Sequence, residues 1–146
     1  MIEIRSPLTR EDFKAYYDLR YRVLREPWGM PRGTEKDDYE PISQHFMAVE
    51  SETGEVLGVV KLYEKEAEVG CFSHLAVSGK AQRKGIGKLL MQAVEEAARQ
   101  RGYKVLGCYS RLNTTDYFKK YGYQVAGLPT PYFGTTQVVW MEKNLD

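Results

Sequence analysis

A chain of 146 residues, 42% hydrophobic and 28% charged, has the balance of a globular domain with room for one core of ordinary size. A formal net charge of +1 lacks the basic excess on which nucleic-acid binding rests, so no nucleic-acid partner is expected and any charged site must be local. No segment is long and apolar enough to cross a membrane, and Met1 to Arg5 lacks the basic start and apolar run of a secretory signal, so the expectation is no membrane partner and a cytoplasmic location.

Ile2 to Arg5 alternates as a short strand. Thr9 then precedes Arg10-Glu11-Asp12, a helix start with acidic residues in its first turn. Phe13, Tyr16, Tyr17, Leu19, Val23 and Leu24 recur at helical spacing behind it. Pro27, Gly29, Pro31 and Gly33 end this helix and open an irregular stretch that runs to about Pro41. From His45 the period changes to that of strands: Phe46 to Val49, Val56 to Tyr63 and Val69 to Val77 predict an antiparallel meander, with a turn at Thr53-Gly54. Ile86 to Arg101 is the strongest helical pattern of the chain, closed by Gly102. Lys104 to Tyr109 reads as a strand, about Thr114 to Tyr121 as a short helix stopped by Gly122, and Gln124–Ala126 and Gln137–Met141 as the last two strands. Cys71 and Cys108 both fall in strand-like apolar surroundings and are expected as buried free thiols. The pattern predicts one α/β domain over residues 1–146, with a mixed sheet.

The chemistry concentrates at the loop Gln82-Arg83-Lys84-Gly85-Ile86-Gly87, which follows a strand and opens the best helix. A helix start presents unpaired N–H groups and partial positive charge, which suits an anion. Gly85 and Gly87 allow a diphosphate to approach those amides, and Arg83, Lys84 and Lys88 add cationic charge. Two other phosphate motifs fail. Leu89 stands where a P-loop needs Ser or Thr after Gly87-Lys88, and Leu90 stands where the dinucleotide fingerprint needs its third glycine.

Gln82 to Gly87 resembles the Q/R-x-x-G-x-G/A signature of the GNAT acyltransferase superfamily, Leu75-Ala76-Val77 resembles its L-x-V strand, and Tyr117 to Tyr123 resembles its F-Y-x-K-x-G-F segment. The three elements occur in the family's order. The resemblance implies a mixed, mostly antiparallel central sheet with helices on both faces, and N-acetyl transfer from acetyl-CoA to an amine of a small molecule or a protein. It further implies that backbone groups of Leu75, Ala76 and Val77 pair with the pantetheine arm, and that Gln82, Arg83, Lys84, Gly85, Ile86, Gly87 and Lys88 hold the pyrophosphate. Arg111 and Asn113 fall where the family contacts the cofactor's far end. Dimers are common in the family, so a homodimer is an open expectation. No metal is implied.

In the family a tyrosine of the F-Y pair commonly protonates the leaving thiolate. Here the order is Tyr117-Phe118, so Phe118 holds the acid position and Tyr117 can serve only if the helix is rotated or distorted. Tyr109 and Tyr121 are neighbouring phenols. His74 lies on the strand where the family often places its base, and its ordinary pKa suits the task, but simple alternation turns it away from the face of Ser73 and Leu75 unless a bulge intervenes. Glu66 and Glu68 are further base candidates. Trp28, in the Pro/Gly-rich stretch, is the candidate acceptor-binding residue, with Tyr132 and Phe133 closing the pocket from the other end. Glu35, Asp37, Asp38 and Glu40 read either as a solvated acidic loop or as an attraction for a cationic amine. The competing function is an acyl-CoA-binding sensor module that transfers nothing, to which the Phe118 departure points.

Overall fold

The computed structural model describes residues 1–134 and 136–145. Among them eight strands form one sheet: β1 (Ile2–Arg5), β2 (Gln44–Glu50), β3 (Val56–Glu66), β4 (Val69–Val77), β5 (Val105–Arg111), β6 (Gln124–Val125), β7 (Thr130–Pro131) and β8 (Gln137–Asn144). The order across it is β1-β2-β3-β4-β5-β8-β6, with β7 also paired to β8. Every pairing is antiparallel except β4 with β5, whose crossover is the helix α2 (Ile86–Gln100). The fold is thus the mixed, mostly antiparallel sheet that the motifs imply, and helices cover both faces.

The helix α1 (Arg10–Leu24) starts with a capping box. Thr9 Oγ1 accepts from the Asp12 amide at 3.0 Å and Asp12 Oδ2 accepts from the Thr9 amide at 3.3 Å. Such a cap stabilises a helix by about 1 kcal/mol. Tyr16 and Leu19 of α1 pack on Met47, Val49, Val59 and Ala76 on one face of the sheet. On the other face α2 lays Ile86, Leu90, Met91 and Val94 against Phe46, Ala48, Val60, Leu62 and Phe72. Strand alternation separates the two sets, Met47 and Val49 toward α1 and Phe46 and Ala48 toward α2. The helix α2 sits close: a Cβ on Gly58 would lie 2.7 Å from Ile86 Cγ2 and 2.9 Å from Leu90 Cδ1. That contact seats the start of α2 against β3.

The short helix α3 (Thr115–Lys119) follows a 3-10 turn at Leu112–Thr114 and is shorter than the expected Thr114 to Tyr121. Strand β8 runs three residues beyond the expected Met141, and β7, which includes Pro131 and follows Pro129, was not anticipated. Cys71 and Cys108 are free and buried, and burial pushes the Cys71 thiol up to about 11. No helix among the described residues is long and apolar enough to cross a membrane.

Candidate active site

The parallel pairing of β4 with β5 covers only Val69, Gly70 and Cys71 against Val105, Leu106 and Gly107. Beyond Cys71 the strands part. The cause is in β4 itself: Ala76 pairs with Val59 but Ser73 pairs with Lys61, so three steps on β4 span two on β3. The extra residue makes a bulge at His74, which holds a left-handed φ of 57°. A non-glycine residue in that region is strained, and such strain gathers at functional sites. The bulge overturns simple alternation, so His74 is not turned away from the site. It lines the same cleft as Ser73, Leu75, Ala76 and Val77.

That cleft, of about 510 Å³, is walled by β4 on one side and by Cys108 to Arg111 of β5 on the other, with Tyr117 and Phe118 of α3 and Tyr132 closing its ends. Its rim toward α2 is built for an anion. Gly85 caps α2 with a left-handed φ of 77° and no side-chain cap, and Arg83 is left-handed too, at 69°. The first backbone bond of the helix runs from the Leu89 amide to the Gly85 carbonyl, and the amides of Gly85, Ile86, Gly87 and Lys88 have no partner among the described residues. Alternating backbone of this kind forms a concave set of N–H donors. Arg83, Lys84 and Lys88 are exposed around it and pair with no described carboxylate. Gln82 holds the loop to the end of β4, its Nε2 donating to the Val77 carbonyl at 3.0 Å. Ile86 serves the core instead of the rim. A diphosphate-bearing cofactor therefore fits these residues.

Tyr117 and Phe118, the reversed pair, take different places. Phe118 packs against Phe72 and Tyr123 at the core's edge as well as touching the cleft. Tyr117 swings its hydroxyl over the α2 start, where a Cβ on Gly87 would collide with it. A 3-10 turn precedes α3, and both Tyr117 and Phe118 line the cleft. Burial first, and then Tyr121, push its phenol well up, so it stays a proton donor at neutral pH.

His74 Nδ1 lies 3.0 Å from Ser73 Oγ and 3.9 Å from Asp37 Oδ2. Burial, then the charges of Arg20 and Lys61, hold its imidazole well below the usual value, with Asp37 opposing. These charges belong to a buried network that the sequence pattern did not reveal. Lys61, fully buried at 0% exposure, points from β3 toward α1 and donates to Asp37 Oδ1 at 2.7 Å. Arg20, equally buried, donates to Glu40 Oε2 at 2.9 Å and to Tyr16 Oη at 2.9 Å. Burial acts to raise the Glu40 carboxyl, but Arg20, the Asp37 amide and Lys61 outweigh it and hold it below the ordinary carboxylate range. Of the acidic stretch only Asp38 is exposed without a partner among the described residues; the other three are neither solvated nor free to draw a cationic amine. Asp37 and Glu40 serve the protein's own buried cations, and Glu35 is itself buried, accepting from the Gly33 amide at 2.7 Å. Glu66 and Glu68 lie exposed at the β3–β4 turn, away from the cleft.

The remaining expected residues distribute as follows. Arg111 lines the cleft, with its guanidinium stacked on the Trp28 ring 3.7 Å from the centroid. Trp28 thus touches the site through Arg111 and is not itself on the cleft wall. Asn113 is exposed and outside the cleft. Tyr132 closes the cleft and accepts from Arg25 Nη2 at 2.6 Å, so Arg25, buried at the end of α1, joins the site.

A family model described as the acetyltransferase (GNAT) family matches residues 13–123. Among solved structures, a Lactobacillus plantarum protein provisionally assigned as an N-acetyltransferase is 23% identical, with a TM-score of 0.87 over 99% of this chain and 98% of the other. An acyl-CoA N-acyltransferase from Pseudomonas aeruginosa is 18% identical, with a TM-score of 0.83 over 98% of each chain. An aminoglycoside 6'-N-acetyltransferase complexed with coenzyme A is 15% identical, with a TM-score of 0.79 over 99% of this chain and 96% of the other. At these identities the likeness speaks for the fold, and the matched family model for descent. This chain belongs to the GNAT acetyltransferase family.

Proposed function

We propose that the protein is an N-acetyltransferase that moves the acetyl group of acetyl-CoA to a primary amine of a small molecule or protein, with both substrates bound at once. The observation that carries this reading is the parting of β4 from β5 beside the uncapped start of α2. Bound acetyl-CoA supplies a thioester acyl group that an amine takes directly, one proton leaving nitrogen and one reaching the departing sulfur. The amides of Gly85 to Lys88, with Arg83, Lys84 and Lys88, would hold the pyrophosphate, and backbone groups of Leu75 to Val77 the pantetheine arm. An amide of that same freed segment would donate to the carbonyl oxygen as charge develops on it. His74, neutral because its pKa is depressed, takes the proton from the amine nitrogen at its free Nε2. Tyr117 keeps its proton and donates from Oη.

The test is thiol release from acetyl-CoA over a panel of primary amines, run beside calorimetric titration of acetyl-CoA. Saturable binding with amine-dependent thiol release is the expected result. Binding without release for any amine would leave an acyl-CoA-binding module, and no binding by folded protein would overturn the reading.

A further inference from the structure

Two guanidinium groups line the cleft beside Trp28 and Tyr132, and among the described residues neither has a carboxylate partner. Arg25 is buried at 3% exposure, and its contacts are all neutral oxygens: Thr34 O at 2.9 Å, Leu24 O at 3.1 Å and Tyr132 Oη at 2.6 Å. Its guanidinium also sits over the Phe133 ring, 4.7 Å from the centroid. Arg111 makes no hydrogen bond through its guanidinium among the described residues; the Trp28 face alone holds it. Aromatic faces orient a guanidinium without neutralising it and leave the N–H edge free. Burial lowers the Arg111 pKa, with Tyr132 opposing and Arg25 adding to the effect, yet a guanidinium remains charged at neutral pH. By contrast the two other buried cations nearby, Arg20 and Lys61, are each matched to Glu40 or Asp37. The protein thus neutralises Arg20 and Lys61 and leaves Arg25 and Arg111, which line the cleft, without a carboxylate among the described residues.

We propose that the acceptor is a small amine bearing a carboxylate, and that Arg111 binds that carboxylate through its free N–H edge, with Arg25 contributing charge and Trp28 holding the fork in place. This rests on the acyltransferase reading above. A planar guanidinium accepts a carboxylate through two parallel hydrogen bonds, which fixes the distance from the anionic group to the amine. The cleft's size suits a small acceptor beside the pantetheine arm. Arg111 on this account is an acceptor residue, not one that holds the cofactor's far end.

The experiment is thiol release from acetyl-CoA with a panel of α-, β- and γ-amino acids, each paired with its neutral carboxamide. At least one acid is expected to exceed its amide in kcat/KM by about tenfold or more, as a charge-assisted pair requires. Arg111→Met should abolish that preference through KM, Arg111→Lys should restore part of it, and acetyl-CoA affinity should stay within about twofold in both. Amides used as well as acids, or loss of acetyl-CoA binding in Arg111→Met, would overturn the proposal. If acetyl-CoA binds but no amine releases thiol, the acyltransferase reading fails by itself. The same pairs titrated against the desulfo-CoA complex then decide the carboxylate site. Acid binding lost in Arg111→Met upholds it, and acid binding that is absent or indifferent to the substitution overturns it.

Discussion

At the scale of the residue, His74 joins two properties: a left-handed backbone, set by the bulge, and a depressed pKa, set first by burial and then by Arg20 and Lys61. Asparagine tolerates the left-handed region, so His74→Asn removes the imidazole while keeping the backbone. Steady-state kinetics should show kcat lower by about 100-fold, with acetyl-CoA affinity unchanged. Because the pKa lies below 6.5, the neutral imidazole persists as pH falls. The acid limb of kcat/KM in the wild-type protein should accordingly lie below pH 6.5, and a limb at or above 7 from this group would contradict the assignment. Lys61 offers a second residue-scale test. Lys61→Met would leave Asp37 and Glu40 short of a buried cation, and urea unfolding should register a loss of about 3 kcal/mol. His74 was legible as a candidate base, but the bulge that turns it into the cleft was not, and the role of Lys61 was not legible at all. A bulge adds one residue to a strand without any change of composition, and His74 is not the glycine that would mark it. Lys61 and Arg20 interrupt apolar patterns as if they were surface positions, and their partners come from a loop with no period to read.

At the scale of the element, the anion site depends on where α2 begins. The uncapped amides are useful only if the helix start is held beside the end of β4, and the contact of Ile86 and Leu90 on Gly58 does this. Gly58→Val should overpack that contact. The expected outcome is about 1–3 kcal/mol less stability in urea and acetyl-CoA affinity weakened by about tenfold. A stability loss with unchanged affinity would show that the seating of α2 does not govern the site. This element was the most readable in the sequence, since its apolar spacing, glycines and basic residues coincide over a few positions. Tyr117 was the opposite case. The reversed Tyr117-Phe118 pair points the phenol the wrong way on a helix continued from the expected start, whereas α3 begins after a 3-10 turn and Tyr117 lies over Gly87. Turns of that kind depend on tertiary packing that no local pattern records.

At the scale of the whole molecule, α1 and the stretch after it form one layer over β3 and β4 whose polar centre is built from paired charges. That centre makes stability depend on pH. Burial first, then Arg20 and Lys61, lower the His45 imidazole against the pull of Glu40, and His74 is lowered further. In the unfolded chain both take up protons near pH 6.5, while the folded protein resists. Their contribution is present above pH 6.5 and is lost as pH falls through and below it, followed by Glu40 in the carboxylate range. The urea midpoint should therefore drop steadily from pH 7.5 to 5, and a midpoint that is flat or rises over that interval would contradict the network. Strand order lay outside sequence reading except where hairpins are short: β2 to β4 were recognisable as a meander, whereas the place of β8 between β5 and β6 depends on contacts far apart in the chain.

The cofactor's place in the parted strands is tested most directly by nitrogen–proton correlation spectra of the labelled protein as acetyl-CoA is added. The largest shifts should fall on the amides of Leu75 to Val77 and Gly85 to Lys88. Saturable binding that leaves both segments unmoved would contradict it.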